Sequence, residues 1–350
     1  MSATPNRFDL LRLVFASVVF VYHGTVLPAL DMGGGPERWL GGLAEVSIQC
    51  FFIVSGALVF GSLERSSSVS DYAGKRLRRL YPAYAAVVLV PALASLALSW
   101  GGQDALGQIG RYLAANLVFL NFLEPNLPGL FAGQRFGEVN GALWTLKIEV
   151  MFYLALPVLA WGLGKLGRHW WFGLAALYIG GTAWAMLVPT WEHVLSAQVA
   201  RQLPGQLAFF VSGMGLWRLW DRAKMRPWLF GALGLGLVAL SWLHPMLEFL
   251  RAAGLAGLIG WAAFAPGPVL NAARWGDVSY GVYITHFPVV QALVAAGLFT
   301  AIGAIGGLAI AGALILGLSF ALWWLVEKPA LRKDSHYRKV SEAGALNGRV

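Results

Sequence analysis

The 350-residue chain contains few charged side chains and a single cysteine. Aspartate, glutamate, lysine and arginine together make up 12% of the residues, whereas about 25% is usual in a soluble domain. Hydrophobic residues make up 58%. One cysteine, Cys50, excludes an intramolecular disulfide framework and a multi-cysteine metal site, and we expect it to be a small buried residue. This composition predicts an integral membrane protein.

Several motifs that carry enzyme chemistry are also missing. The sequence has no Gly-x-Ser-x-Gly elbow, no Walker loop, no His-Glu-x-x-His and no acidic metal cluster. It therefore gives little support to a hydrolase, an ATPase or a metalloenzyme, and it predicts no metal cofactor.

Apolar runs of roughly 18 to 24 residues fill nearly all of the chain, and each is long enough to cross about 30 Å of hydrocarbon. We predict an all-α polytopic membrane protein with about ten transmembrane helices. The predicted spans are 8–29, 40–62, 80–99, 142–163, 170–188, 204–220, 228–243, 249–265, 278–298 and 304–326. The first run is too long for the core of a signal peptide and carries Tyr22 and His23, so we expect no cleavage there.

The chain has a net charge of +9, and its positive residues are distributed as this topology requires. Twenty of the 26 lysine and arginine residues fall in the terminal segments and alternate loops on one side of the predicted bundle, and five fall on the other. Because positive residues collect on the cytoplasmic side, we expect both termini there, in a protein of the plasma (inner) membrane. Their placement in short loops favours membrane topology over nucleic acid binding, and we expect no nucleic acid partner.

Arg12 and His23 are both ionisable residues of the first predicted span. Eleven residues turn an α-helix by three turns plus about 20°, so the two side chains share one face about 16 Å apart along the axis. Ionisable side chains at membrane depth are costly and usually functional. This pair is therefore the first candidate for chemistry.

Glu149 is another ionisable residue within a predicted span. Counting residues puts His23 about 22 Å from the cytoplasmic surface and Glu149 about 10 Å below the outer one, which are similar levels. A carboxylate there could orient the imidazole and raise its basicity for general-base catalysis. The alternative is a structural polar contact between helices, worth about 0.6 kcal/mol.

A cluster of arginines, Arg76, Arg78 and Arg79, lies at the cytoplasmic end of the third predicted span. It could simply fix the topology, or it could bind phosphate groups through paired N–H donors. A phosphorylated cofactor held there would need an arm of about 16 Å to reach His23, and phosphopantetheine has that reach.

The stretch 275–288 in the ninth predicted span contains His286 followed by Pro288. The proline frees a backbone carbonyl, and His286, about 12 Å in by count, could line an acyl channel or bridge two helices. In the second span, Ser55 and Gly56 favour close helix packing over a nucleophile. The longest stretch between spans, 100–141, is predicted to be an ordered outer cap or a re-entrant segment, because irregular backbone at membrane depth must lie against protein or water.

Six pieces of the sequence, taken in order, resemble the membrane-bound acyltransferase 3 family. They are Arg7 to Arg12 followed by His23; Phe51 to Gly56; Arg76 to Pro82; Asn140 to Leu146 with Glu149; Ser279 and Tyr280 with His286; and Val326 to Pro329. The resemblance covers nearly the whole chain. It implies an acyltransferase 3-like transmembrane domain over 1–330, which leaves 331–350 as a basic cytoplasmic tail.

What the family implies is acyl transfer, usually of acetyl, from cytoplasmic acyl-CoA to a hydroxyl of an extracytoplasmic sugar, glycan or other acceptor. By resemblance, His23 is the catalytic imidazole and Glu149 assists it. The CoA end of the co-substrate is expected to bind to Arg12, Arg76, Arg78 and Arg79. Further candidate channel residues are Asp9, Trp144, Tyr280 and His286. One departure is Gln49, where members of the family often carry a carboxylate, so we expect no acidic role at that position.

Two mechanisms and two other function classes remain open from the sequence. His23 either deprotonates the acceptor hydroxyl or accepts the acyl group itself before passing it on. The main alternative function is a transporter or flippase of a glycan or lipid-linked sugar, with His23, Glu149 and His286 as a proton path. A sensor or scaffold without turnover is a weaker alternative.

Overall fold

The computed structural model describes residues 7–30, 34–99, 102, 104–268, 272, 276–333, 335 and 338. These residues are largely helical and include no β-strand, which confirms the all-α prediction. The α-helices are α1 (Phe8–Val26), α2 (Gly34–Glu64), α3 (Val69–Leu98), α4 (Ala105–Asn116), α5 (Trp144–Lys165), α6 (Trp170–Leu187), α7 (Ser196–Ala200), α8 (Leu203–Arg218), α9 (Trp220–Met225), α10 (Pro227–Leu243), α11 (Arg251–Phe264), α12 (Ser279–Ala295), α13 (Leu298–Leu322) and α14 (Lys328–Ala330). A π-helical turn, Trp323–Glu327, joins α13 to α14.

Seven helical segments of the described chain are long and apolar enough to cross a membrane. They are Phe8–Val26, Gly35–Glu64, Val69–Leu98, Gly141–Lys165, Gly167–Thr190, Pro245–Phe264 and Leu298–Ala330. The protein is therefore a multi-pass helical membrane protein. The other three predicted spans coincide with α8, α10 and α12, which have 16, 17 and 17 residues. Such helices are about 24 to 26 Å long, just under the hydrocarbon thickness, so the count of ten and the orientation stay predictions.

The chain divides into two compact units, and the first comprises Met1–Arg12, Ile48–Ala73 and Ile148–Asn271. Here α2 and α8 cross with their backbones in close approach. A Cβ on Gly56 would lie 2.0 Å from the carbonyl oxygen of Phe210, and a Cβ on Gly213 would lie 2.0 Å from that of Ile53. The ring of Phe152 on α5 stacks on Phe210 at 4.2 Å between centroids. The packing predicted for Gly56 is thus confirmed.

The second unit comprises Leu13–Ser47, Gly74–Lys147 and Ala272–Val350. Its central element is α12, in which every residue from Ser279 to Phe287 is buried. A helix that is covered on all sides needs no polar face, and its buried polar side chains are hydrogen-bonded to protein, as Ser279 is to Asp277 and Thr285 to Gly281 O. Of the predicted tail, 331–350, residues 334, 336, 337 and 339–350 lie outside the described residues, as does Trp275, three residues before the ninth predicted span.

The segment 117–140 of the second unit lies across the ends at which α1, α3 and α12 finish. Side-chain hydrogen bonds anchor its backbone: Ser95 donates to Pro128 O at 2.6 Å, and Gln291 donates to Phe136 O at 2.6 Å. In turn, Arg135 donates to Val26 O at 3.1 Å. These bonds supply the protein contacts that irregular backbone needs near a membrane. Of the predicted stretch 100–141, residues 100, 101 and 103 lie outside the described residues, 105–116 form α4, and these contacts hold 117–140. Its location on the outer side stays a prediction.

Candidate active site

His23 and His286 form a hydrogen-bonded pair in the second unit. Nδ1 of His23, in the last turn of α1, lies 2.9 Å from Nε2 of His286, in α12. The rings are stacked with centroids 5.0 Å apart. His286 is fully buried and His23 is half-buried. Of the two alternatives for His286, the structure shows the bridge between helices, because its ring contacts the helix that carries the predicted catalytic imidazole. Its place in an acyl channel stays a prediction.

This contact corrects the depths obtained by counting residues. The counts put the two rings about 10 Å apart along the membrane normal, whereas their nitrogens are within hydrogen-bond distance. The two helices must therefore be staggered or tilted relative to each other. Stagger depends on packing between helices, which no count along one helix contains.

Aromatic rings surround the histidine pair. Phe287 lies edge-on to His23 at 5.2 Å, and Tyr22 is 5.1 Å from it. Tyr283 lies edge-on to His286 at 5.8 Å, and its hydroxyl shares a hydrogen bond of 2.6 Å with Thr145. Water is thereby displaced around the fully buried ring, which strengthens hydrogen bonds to it.

Pro288 leaves a carbonyl of α12 free for a hydrogen bond from the turn that precedes α5. Pro288 has no N–H, so Ile284 O lacks its helical donor. The side-chain amide of Asn140 supplies one instead at 2.8 Å, while its Oδ1 accepts from Ala142 N. The freed carbonyl predicted from the proline is thus satisfied by a side chain, and this bond ties α12 to the turn that leads into α5.

Glu149 lies in the first unit, on α5. Its Oε1 accepts hydrogen bonds from Ser55 Oγ on α2, at 3.2 Å, and from the hydroxyl of Tyr153, one turn along α5. Two donors on one carboxylate oxygen hold the side chain in a fixed orientation. His23 belongs to the second unit, so the predicted assistance of Glu149 to His23 stays a prediction.

Arg79 forms a buried ion-pair cluster with two carboxylates of the second unit. Its two terminal nitrogens donate to Glu327 and Asp277. The exposed fractions of the three residues are 9%, 0% and 2% respectively. The π-helical turn that follows α13 carries Glu327. These contacts argue against the phosphate-binding role that the sequence predicts for Arg79. Since both terminal nitrogens already face carboxylates, we instead assign Arg79 to holding α3, α12 and the end of α13 together.

The other predicted residues occupy varied positions. Tyr280, a candidate channel residue, is buried and donates from its hydroxyl to Leu80 O at 2.9 Å, so it also bridges α12 and α3. Arg76 is half-buried and Arg78 is exposed. On α1, Arg12 lies 4.0 Å from Asp9, one turn before it. Trp144 is half-buried and begins α5.

A family model for the acyltransferase domain matches residues 6–324. The chain belongs to the acyltransferase 3 family. The acyltransferase is 30% identical to nodulation protein 10 of Rhizobium leguminosarum bv. viciae, over 95% of this chain and 94% of that protein. It is 26% identical to the O-acetyl transferase of Shigella phage Sf6, over 94% and 97%. It is 24% identical to the exopolysaccharide production protein ExoZ of Rhizobium meliloti (strain 1021), over 83% and 90%. No solved structure matches it.

In this acyltransferase, the described residues place no group of three or more histidine, cysteine, aspartate or glutamate side chains where a metal ion could bind. The chemistry available to the histidine pair is proton transfer and nucleophilic attack. Both need an imidazole nitrogen with a free lone pair.

Sequence reasoning missed three partners of the site residues, namely Tyr153, Asp277 and Glu327. For the two acids, a signal was present: each lies in or beside an apolar run, and an acidic residue there needs a buried cation. Tyr153 follows Glu149 by one helical turn, so the i, i+4 rule could have found it.

Proposed function

We propose that the protein transfers an acetyl group from acetyl-CoA to a hydroxyl group of a sugar or glycan at the plasma (inner) membrane. The family supports acyl transfer. A relative named O-acetyl transferase supports acetyl and an oxygen acceptor, and a relative named exopolysaccharide production protein supports a glycan. The observation that carries the proposal is the hydrogen-bonded pair of His23 and buried His286.

We further propose ten spans with both termini in the cytoplasm. The distribution of lysine and arginine supports this orientation. Helices α8, α10 and α12 are slightly short, and a bilayer accommodates a short helix by thinning locally at a modest cost. In this topology, the end of α1 that carries His23 is nearer the outer surface.

For the donor, Arg76 and Arg78 on α3 and Arg12 on α1 are the proposed phosphate ligands. Arg78 is exposed, so its side chain can reach a ligand, and Arg76, half-buried two residues before it, could add a second guanidinium. Arg12 precedes His23 by about 16 Å of helix, a distance that a phosphopantetheine arm spans.

In the proposed reaction, the acceptor hydroxyl gives its proton to the His23 imidazole as its oxygen attacks the thioester carbonyl. A C–O bond forms and the C–S bond breaks. The proton on His23 then passes to the leaving CoA thiolate, which departs as the thiol. Glu149 is proposed to assist on the acceptor side, in the orientation that Ser55 and Tyr153 fix.

The test uses the full chain, purified in detergent and supplied with radiolabelled acetyl-CoA and membranes of its host as the source of acceptor. We expect release of CoA and transfer of label, both abolished in His23→Ala. The exposed residue His169 provides the matched control, since His169→Ala should transfer at the wild-type rate. In the host, mass spectrometry of surface glycans with and without the protein should show loss of acetyl groups.

Movement of a glycan across vesicles without CoA release would contradict the proposal and favour a carrier. Full transfer by His23→Ala would contradict the catalytic assignment.

A further inference from the structure

The backbone of α12 fixes which nitrogen of His286 carries a proton. Nδ1 of His286 lies 3.2 Å from Val282 O, one turn earlier on the same helix. A carbonyl oxygen can only accept a hydrogen bond, so Nδ1 must be the protonated nitrogen. In a neutral imidazole the other nitrogen then holds the lone pair. Nε2 of His286 is therefore a hydrogen-bond acceptor.

The same donor–acceptor argument applies to His23. Its Nδ1 lies 2.9 Å from Nε2 of His286, and because that nitrogen accepts, Nδ1 of His23 must donate. The neutral His23 ring consequently keeps its lone pair on Nε2. We infer that His286 is a positioning residue that holds His23 in the tautomer whose Nε2 acts as the base.

The surroundings of His286 suit this positioning role. The ring is fully buried, so water cannot replace either of its hydrogen bonds. Its helix is held two residues earlier by Asn140, whose side-chain amide donates to Ile284 O. The hydrogen bonds that run from His23 through His286 end on the carbonyl of Val282 rather than on a rotatable carboxylate, and this fixes the orientation of both rings. A neutral acceptor orients the base without adding a negative charge beside it.

This inference rests on the proposed function, in which Nε2 of His23 receives the proton of the acceptor hydroxyl. As that proton arrives, the hydrogen on Nδ1 can be shared with Nε2 of His286. The positive charge is then spread over two rings, and no further reagent is needed. When the thiolate leaves, it takes the proton from Nε2 of His23, and the hydrogen shared with His286 returns fully to Nδ1 of His23.

The first test is ¹⁵N NMR of histidine-labelled full-length protein in lipid bilayers, which distinguishes a protonated ring nitrogen from a bare one. The chain has six histidines, and the signal of His23 is assigned by its loss in His23→Gln. We expect wild-type His23 to carry its proton on Nδ1. In His286→Leu the imidazole acceptor is gone and only the carbonyl of Val19 is left to accept from the His23 ring, so part of the proton should move to Nε2, the nitrogen preferred by an isolated ring. A wild-type His23 protonated on Nε2 would overturn the inference.

The second test compares two substitutions kinetically. His286→Gln keeps an acceptor oxygen near the position of Nε2, whereas His286→Leu has none. We expect His286→Leu to lower kcat for CoA release roughly 100-fold, within the usual range for a lost acid–base contribution, while KM for acetyl-CoA changes little. His286→Gln should recover at least about tenfold of that loss.

Wild-type kcat in His286→Leu, or equal losses in the leucine and glutamine variants, would refute the positioning role. Failure of the proposed function gives a different result: the wild-type protein would release no CoA, while the NMR signal of His23 would still report the same tautomer.

Discussion

Replacing Arg79 with methionine would remove a cation that two buried carboxylates face. The side chains of Asp277 and Glu327 are 1% and 0% exposed, and the terminal nitrogens of Arg79 face both. Removing one member of a buried ion pair costs about 3 to 5 kcal/mol, because the remaining charge is uncompensated. With two carboxylates left behind, we expect Arg79→Met to lie at or above the upper end of that range.

A triple variant distinguishes the effect of the lost charge from the effect of the changed side-chain shape. Changing Asp277→Asn and Glu327→Gln together with Arg79→Met removes all three charges and keeps side chains of similar size. Neutral replacement of a buried ionic cluster is often harmless or stabilising. We therefore expect the triple variant to recover most of the stability that the single variant loses.

Thermal unfolding in detergent, followed by the fluorescence of the 16 tryptophans, measures this directly. The matched control is Arg78→Met, which removes an exposed arginine from the same turn of α3. It should unfold at the wild-type temperature but raise KM for acetyl-CoA if Arg78 binds phosphate. The triple variant, in contrast, should keep a wild-type KM.

Two results would refute this reasoning. One is an Arg79→Met protein as stable as wild type. The other is a stable triple variant whose KM for acetyl-CoA rises as much as that of Arg78→Met, which would return Arg79 to the phosphate site.

Three further substitutions test the packing and the polar contacts around the site. Gly213→Ala should lower the unfolding temperature clearly, because its Cβ would lie 2.0 Å from a carbonyl oxygen of α2. Gly215→Ala on the same helix is the control, since its Cβ would have nothing within 4 Å and should leave the unfolding temperature unchanged. Equal stability of the two variants would contradict the close crossing. Asn140→Ala should cost about 1 to 3 kcal/mol by leaving a buried carbonyl without a donor, and less in a Pro288→Ala background that restores the N–H. Purely additive losses in that double-mutant cycle would argue against the link. Tyr153→Phe removes a hydrogen-bond donor to Glu149. It should lower kcat about tenfold, the effect of losing a charge-assisted hydrogen bond of roughly 1.5 kcal/mol. An unchanged kcat would argue against a role of Glu149 in the proposed reaction.

The helices themselves were predictable from the sequence. Hydrophobic length and scarcity of charge are local properties, so each of the ten predicted spans coincides with a helix in the described chain. The close approach at Gly56 was equally readable, because small residues in an apolar helix allow backbones to meet. The family was identifiable for a similar reason, since its motifs are short and follow one another in a fixed order.

The partners of the site residues were decided by tertiary structure. His23 and His286 are 263 positions apart, and Arg79 is 198 and 248 positions from its two carboxylates. Whether such residues meet depends on how far each helix slides along its neighbour, and a shift of one turn moves a side chain by about 5.4 Å. The sequence by itself determined that an imidazole, a carboxylate and several guanidinium groups would lie in or beside an apolar bundle. Packing decided that the imidazole pairs with a second imidazole and that one of the arginines is held by two acids, because only the stagger of the helices brings those atoms within hydrogen-bond distance.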